Sequence, residues 1–172
     1  DAMRIPSLPG QTILGDRGEN LSSVLQAICA TDPGSATLIE WIRELTPMDA
    51  SDFDFVADQT GKILVTLKEE SGQRTSAYSA SDGTLRFLAM IAALLGPQPA
   101  RFYFYEELEN GIHPTRLSLL LNLIERKVFQ GGIQMVATSH SPQLLGLLSD
   151  QALESATLVY RLAGDADAHV KR

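Results

Sequence analysis

The sequence predicts an α/β fold: a mostly parallel sheet with crossover helices, preceded by a small helical and hairpin segment. Three observations carry this. From Ser81 to Leu162, helical and strand patterns alternate, the order that parallel strands joined by helices require. Two continuous apolar runs, Phe102 to Glu106 and Ile133 to Thr138, read as strands buried on both faces of such a sheet. Upstream, two alternating runs flank Asp58-Gln-Thr-Gly61, the pattern of a hairpin. At 172 residues the chain is about one domain. It divides into helices and hairpin (1–80), the alternating core (81–162) and a loose tail (163–172).

Each element follows from its residues. Asp1 to Arg17 carries Pro6, Pro9 and Gly10 without a period and reads as an irregular lead-in. Asn20 caps a helix to about Ala30, with Leu21, Val24, Leu25 and Ile28 on one face. Asp32-Pro-Gly breaks it. A second helix spans about Ser35 to Leu45, with Leu38, Ile39, Trp41, Ile42 and Leu45 as its stripe and Pro47 as its stop. Phe53 and Phe55, then Ile63, Val65 and Leu67, are the hairpin's inward residues. Ser81 opens a third helix through Leu95, ended by Gly96-Pro97. After the first apolar strand, a helix from Pro114 to Lys127 starts with proline in its first turn, where helices tolerate it. A short helix, Pro142 to Leu148, and a last strand, Thr157 to Leu162, follow the second apolar strand.

Composition narrows the class. Hydrophobic content of 44% and charged content of 20% are ordinary for a globular domain. No apolar run approaches the roughly 20 residues that cross a bilayer, and no secretory signal opens the chain. A single cysteine, Cys29, excludes an internal disulfide and reads as a small buried hydrophobe. A cytoplasmic setting follows. The net charge of -7 argues against a dominant nucleic-acid surface on this chain.

Four motifs carry chemistry. Phe102 to Tyr105 runs into Glu106 and Glu107. Side chains alternate along a strand, so the two acids face different neighbours: one can hold a cation while the other faces a reacting water. This is the form of a Walker B element, at the sheet edge where open parallel sheets bind ligands. Ser81-Asp-Gly-Thr-Leu-Arg86 starts a helix whose unpaired N–H groups and dipole favour an anion. Read alone, it is an N-cap followed by a first-turn glycine. Thr138-Ser139-His140-Ser141-Pro142 leaves the second apolar strand with a histidine able to bond a phosphate oxygen. Glu109-Asn-Gly-Ile-His-Pro114 is a polar turn tolerant of left-handed geometry. A phosphate loop needs Gly, four residues, then Gly-Lys-Ser/Thr. At Gly61-Lys62 the pattern fails, with Val56 and Ile63 in the other two positions. Nothing else in the chain matches it.

In this order, the four motifs resemble the C-terminal half of an ATP-binding-cassette ATPase head. They are most similar to the branch of RecF, SMC and the overcoming-lysogenization-defect nucleases, often described as AAA-family ATPases. The resemblance spans about Asn20 to Leu162. It implies that Ser81, Asp82, Gly83 and Thr84 form the signature that contacts ATP held by an opposite subunit, with Arg86 as the accompanying basic residue. It implies Glu106 on the Mg²⁺ side, Glu107 as catalytic glutamate, Asn110, Gly111 and His113 in the D-loop, and His140 as the switch histidine. It further implies ATP hydrolysis at a dimer of heads, coupled to DNA repair or antiphage defence, with a nuclease and DNA as candidate partners and no membrane.

The sequence departs from that pattern in places. Glu stands at 106 where Asp is usual, Asp82 replaces a signature glycine, and Leu108 replaces a common proline, a change expected to affect only the local turn. The phosphate loop belongs to an N-terminal half that this chain lacks, so the chain is expected to bind negligible ATP alone and to need that half as partner. Two rivals stay open. One is the nucleotide-binding subunit of a membrane transporter, which the Glu-Asn-Gly-Ile-His-Pro turn argues against. The other is a non-catalytic dimerisation module, which intact Glu106, Glu107 and His140 argue against.

Overall fold

The computed structural model describes residues 2–45 and 48–171. Pro47 and the side chain of Leu45, expected at the end of the second helix, lie outside the described residues.

Helices α1 (Leu21–Cys29) and α2 (Asp32–Leu45) lie against a three-stranded antiparallel sheet of β1 (Ala50–Ala57), β2 (Ile63–Glu69) and β3 (Arg74–Ser76). The hairpin expected from the alternation is present, with Phe53 opposite Leu67 and Phe55 opposite Val65. Its turn closes on Asp58, whose Oδ1 accepts the N–H of Thr60 at 2.7 Å and of Lys62 at 3.1 Å. Lys68 pairs with Asp52 at 3.1 Å and Asp54 at 2.8 Å on the sheet's polar face. The second helix begins three residues before Ser35, because Pro33 in a first turn supports a helix start.

The lead-in is not loose. Ser7 exchanges both main-chain hydrogen bonds with Ile63, at 3.0 and 2.8 Å, adding an edge to β2. Asn20 shows no side-chain bond to its own helix. Instead it stitches this segment, accepting the Gly15 N–H and donating to the Ile13 carbonyl, each at 2.8 Å. The buried Ser22 and Ser23 are likewise satisfied by Val65 and by Gln11.

Helix α3 (Asp82–Leu95) crosses this layer, burying Leu85, Leu88 and Ile91 completely. It leads to β4 (Phe102–Tyr105), which joins α4 (Pro114–Phe129) and β5 (Gln134–Ala137) as a parallel pair with a helical crossover. Leu117, Leu120, Leu121, Leu123 and Ile124 of α4 are buried in the same core as α1 and α3. The chain continues through α5 (Pro142–Leu145) and α6 (Asp150–Glu154) to an antiparallel hairpin of β6 (Leu158–Tyr160) and β7 (His169–Lys171).

Three expectations are corrected here. The sheet is not mostly parallel among the described residues: β4–β5 is the parallel pair, and the other named pairings are antiparallel. The apolar strands are not buried on both faces. Tyr103, Tyr105 and Met135 pack on the core, but Phe102 and Phe104 are 56% and 60% exposed and Val136 is 46% exposed. The tail, expected to be loose, ends in a paired strand.

Candidate functional site

The four motifs converge where the start of α3 meets the ends of β4 and β5. Ser81 caps α3, its Oγ accepting the Thr84 N–H at 3.1 Å and lying 2.8 Å from the Thr84 hydroxyl. Asp82 is exposed and pairs with Arg4, whose guanidinium also donates to the carbonyls of Ala77, Tyr78 and Ala80 at 3.0, 3.0 and 2.7 Å. The lead-in thus ties down the turn that aims the helix start. Gly83 has a specific neighbour. A Cβ there would sit 2.5 Å from the Gly111 carbonyl oxygen, and one on Gly111 would sit 2.8 Å from the Gly83 Cα. Main chain packs directly on main chain, so both positions require glycine, and Gly111 also has φ +79. The space left by the missing Gly83 side chain is taken by Gly111.

The acid pair is held from the same helix. Arg86 directs one guanidinium nitrogen to the Glu106 carbonyl and to the Glu107 carbonyl, the latter at 3.0 Å. Arg86 therefore reaches the main chain carrying both acids. Glu106 is exposed at the strand end. Glu107 has φ +49, the left-handed region that non-glycine residues rarely occupy. Its N–H donates to the Thr138 hydroxyl at 3.0 Å, and its carboxylate accepts Asn110 Nδ2 at 3.2 Å. Leu108 is 2% exposed in the core, and its N–H bonds the Thr138 carbonyl at 3.1 Å. A proline at this position has no such donor, so the departure reaches beyond the turn: it adds a rung between the two strand ends.

His140 is exposed, and its main-chain N–H donates to Glu109 Oε1 at 3.1 Å. Burial works to raise the Glu109 carboxyl. Hydrogen bonds from its own N–H, the Ser139 hydroxyl and the His140 N–H, with the His140 ring beside them, hold it below the usual carboxylate value. His113 is exposed, and its carbonyl accepts the Arg116 and Leu117 N–H groups at 2.8 and 3.1 Å, opening α4. Beneath the site, Tyr103 and Tyr105 stack at 6.1 Å, and the Tyr103 hydroxyl donates to the Ala93 carbonyl at 2.6 Å. Burial pushes both phenols up, so both stay neutral.

Arg86 and the Gly83–Gly111 contact join the helix start to the acids, and Glu109 joins the acids to the histidine loop. Arg4, Thr138 and Glu109 went unassigned from sequence because their contacts are tertiary, although two of them lie inside recognised motifs. Ser81, Asp82, Glu106, Asn110, His113 and His140 are all exposed. A shallow groove between α2 and β1, lined by Ile39, Arg43 and Ser51 among others, contains none of these residues. Mg²⁺ on nucleotide phosphates takes one or two protein carboxylates and keeps waters. The exposed Glu106 carboxylate fits that donor set, and no all-protein cage of three His, Cys, Asp or Glu occurs among the described residues.

The capped start of α3 meets an acid-terminated parallel strand, and the class shown for the chain is an AAA domain. The chain belongs to the family described as "AAA domain, putative AbiEii toxin, Type IV TA system", whose model matches residues 19–146. Its fold is similar to SMC ATPase heads. One, from work on ATP-driven dimerization and DNA stimulated activation of SMC ATPases, aligns with TM-score 0.56 and 14% identity over 86% of this chain and 83% of that one. A second is an Smc head with an extended coiled coil bound to the C-terminal domain of ScpA, from Pyrococcus furiosus (TM-score 0.58, 14% identity, 85% of this chain, 34% of that one). A third is an Smc head with a coiled coil and joint from Pyrococcus yayanosii (TM-score 0.56, 14% identity, 86% and 26%). The chain thus spans about a third and a quarter of the latter two. No curated protein matches the sequence. No described helix is long and apolar enough to cross a membrane.

Proposed function

We propose that this chain is the C-terminal lobe of an ATPase head that hydrolyses ATP at a composite interface between two heads. The observation that carries the reading is the clamp of Arg86 on the main chain of Glu106 and Glu107, which binds the signature-like helix to the acid pair. Glu107, with its carboxylate oriented by Asn110, accepts the proton of the attacking water or orients that water. Glu106 would hold Mg²⁺, which would supply neutralisation of charge on the nucleotide phosphates. His140 contacts the γ-phosphate. The helix start at Ser81 to Thr84 meets the γ-phosphate of ATP bound by the opposite head, through the N–H groups that the Ser81 cap leaves open. Catalysis is mostly positioning and charge stabilisation, as in phosphoryl transfer generally. The partner within a head is a segment carrying the phosphate loop, without which this chain alone is inactive. The setting is cytoplasmic, and the head's cycle serves DNA repair or antiphage defence. The latter is supported by the toxin system in the family's description.

The test joins this chain to a phosphate-loop segment as a complete head and measures ATP turnover with and without DNA, beside Glu107→Gln. The expected result is turnover lost by about 10²–10⁴-fold in the variant, with ATP-bound dimers accumulating in its place. A complete head that neither binds nor hydrolyses ATP overturns the reading in favour of an interaction module.

A further inference from the structure

The ends of β4 and β5 separate into two loops, one carrying Glu107 and the other His140. Sheet-like bonding between them stops at Thr138, which donates to the Tyr105 carbonyl at 2.9 Å and accepts the Leu108 N–H at 3.1 Å. Past Thr138 the link is a side chain: Glu109 Oε1 accepts the His140 N–H at 3.1 Å. The other carboxylate oxygen, Oε2, is buried and has no hydrogen-bond partner among the described residues. An acceptor hidden from water without a donor carries a desolvation cost. A glutamate whose only role were solvation would turn that oxygen outward.

We infer that Glu109 is a positioning residue whose carboxylate keeps the His140 loop in fixed register with Glu107. Its contacts close a ring. The Glu107 N–H reaches the Thr138 hydroxyl at 3.0 Å, Ser139 leads to His140, and His140 returns to Glu109 two residues beyond Glu107. Asn110, next along the same turn, bonds the Glu107 carboxylate at 3.2 Å. One short turn therefore sets both the acid's orientation and the histidine loop's position. Charge-assisted acceptors make the stronger hydrogen bonds, so a carboxylate suits this post better than an amide. The catalytic purpose of the ring rests on the ATPase reading above; its geometry does not.

Two measurements on Glu109→Ala and Glu109→Gln decide it. In the 172-residue chain, fast-exchange NMR should show the His140 amide exchanging about tenfold faster in Glu109→Ala, the factor a charge-assisted hydrogen bond supplies. The Leu108 amide, bonded to Thr138, should stay unchanged. In the complete head, kcat should fall about 10- to 100-fold in Glu109→Ala, as for a catalytic group displaced by about 1 Å, with the KM for ATP nearly constant. Glu109→Gln, whose amide oxygen still accepts the His140 N–H, should recover most of both readouts. In a head already lacking the His140 side chain, Glu109→Ala should cost little more. An unchanged His140 amide overturns the inference whatever the turnover. A loosened amide with unchanged kcat overturns the positioning role. If the wild-type complete head does not hydrolyse ATP, the proposed function fails and takes the catalytic purpose with it, while the amide result still judges the register.

Discussion

Glu107 occupies a backbone conformation that costs about 1–2 kcal/mol for a residue with a Cβ, and the surrounding contacts hold it there. Left-handed non-glycine residues cluster at functional sites because neighbours over-determine them. Glu107→Gly should therefore stabilise the chain by about 1 kcal/mol in urea titrations, while abolishing turnover in the complete head. Arg86 offers the converse. One nitrogen of its guanidinium serves two carbonyls at once, held there by a planar group that the freely rotating lysine ammonium does not pre-organise. Arg86→Lys should lower stability by about 1–2 kcal/mol and lower kcat as well, because both glutamates lose their anchor. Cys29 supplies a pH signature. Burial pushes its thiol from 9.0 up to about 11, outweighing the lowering by Ser35, and Asp52 adds to the rise. The fold favours the neutral thiol, so this contribution is whole below pH 9.0 and is lost as pH rises toward 11. Cys29→Ala should flatten that slope in denaturation midpoints measured across the same range. At this scale the sequence marked Ser81, Glu107 and His140 as candidates through their motifs, and their roles stand as proposals. It hid Arg4, 78 residues from its partner Asp82, because nothing local marks such a contact.

At the scale of elements, periodicity was informative wherever an element buries one face. The stripe of α1 and the alternation of β1 and β2 appear where the apolar spacing puts them. The misses share a cause. Strands β3 and β7 are three residues each, too short to show a period, and Arg74-Thr-Ser76 is polar. The run Phe102 to Tyr105 signals a strand but does not report what covers its second face. The contact between the start of α3 and the turn after β4 makes its own prediction. Gly83→Ala forces a Cβ to 2.5 Å from the Gly111 carbonyl oxygen, a main-chain atom that cannot swing away. It should cost about 1–3 kcal/mol in thermal or urea unfolding and should lower turnover in the complete head by separating the two elements. Gly131 makes a useful control, since a Cβ there meets nothing within 4 Å and only its φ of +82 opposes alanine.

The whole molecule is lopsided. Its core gathers α1, α3, α4 and the antiparallel sheet around residues such as Leu25, Leu67, Leu88 and Leu120, all fully buried. The parallel pair β4–β5 packs on that core through Tyr103, Tyr105 and Met135 and turns Phe102, Phe104 and Val136 outward. Parallel sheets are ordinarily covered on both faces, which is why the sequence read these strands as buried. The outward aromatics already face water, so they contribute little to the stability of this chain. Phe102→Ser with Phe104→Ser should change its urea midpoint by no more than about 0.5 kcal/mol in free energy, as for surface substitutions generally. In the complete head the proposed phosphate-loop segment is the body that would cover this face. There the same pair of substitutions should weaken association of the two segments by about 3–4 kcal/mol, taking burial of each phenylalanine at roughly 1.5–2 kcal/mol, with turnover falling in proportion to the assembled fraction. Calorimetric titration of one segment into the other reads the affinity directly. Equal affinity in the wild-type and substituted chains would show that the face stays open in the assembled head, and would move the lobe interface elsewhere on the molecule.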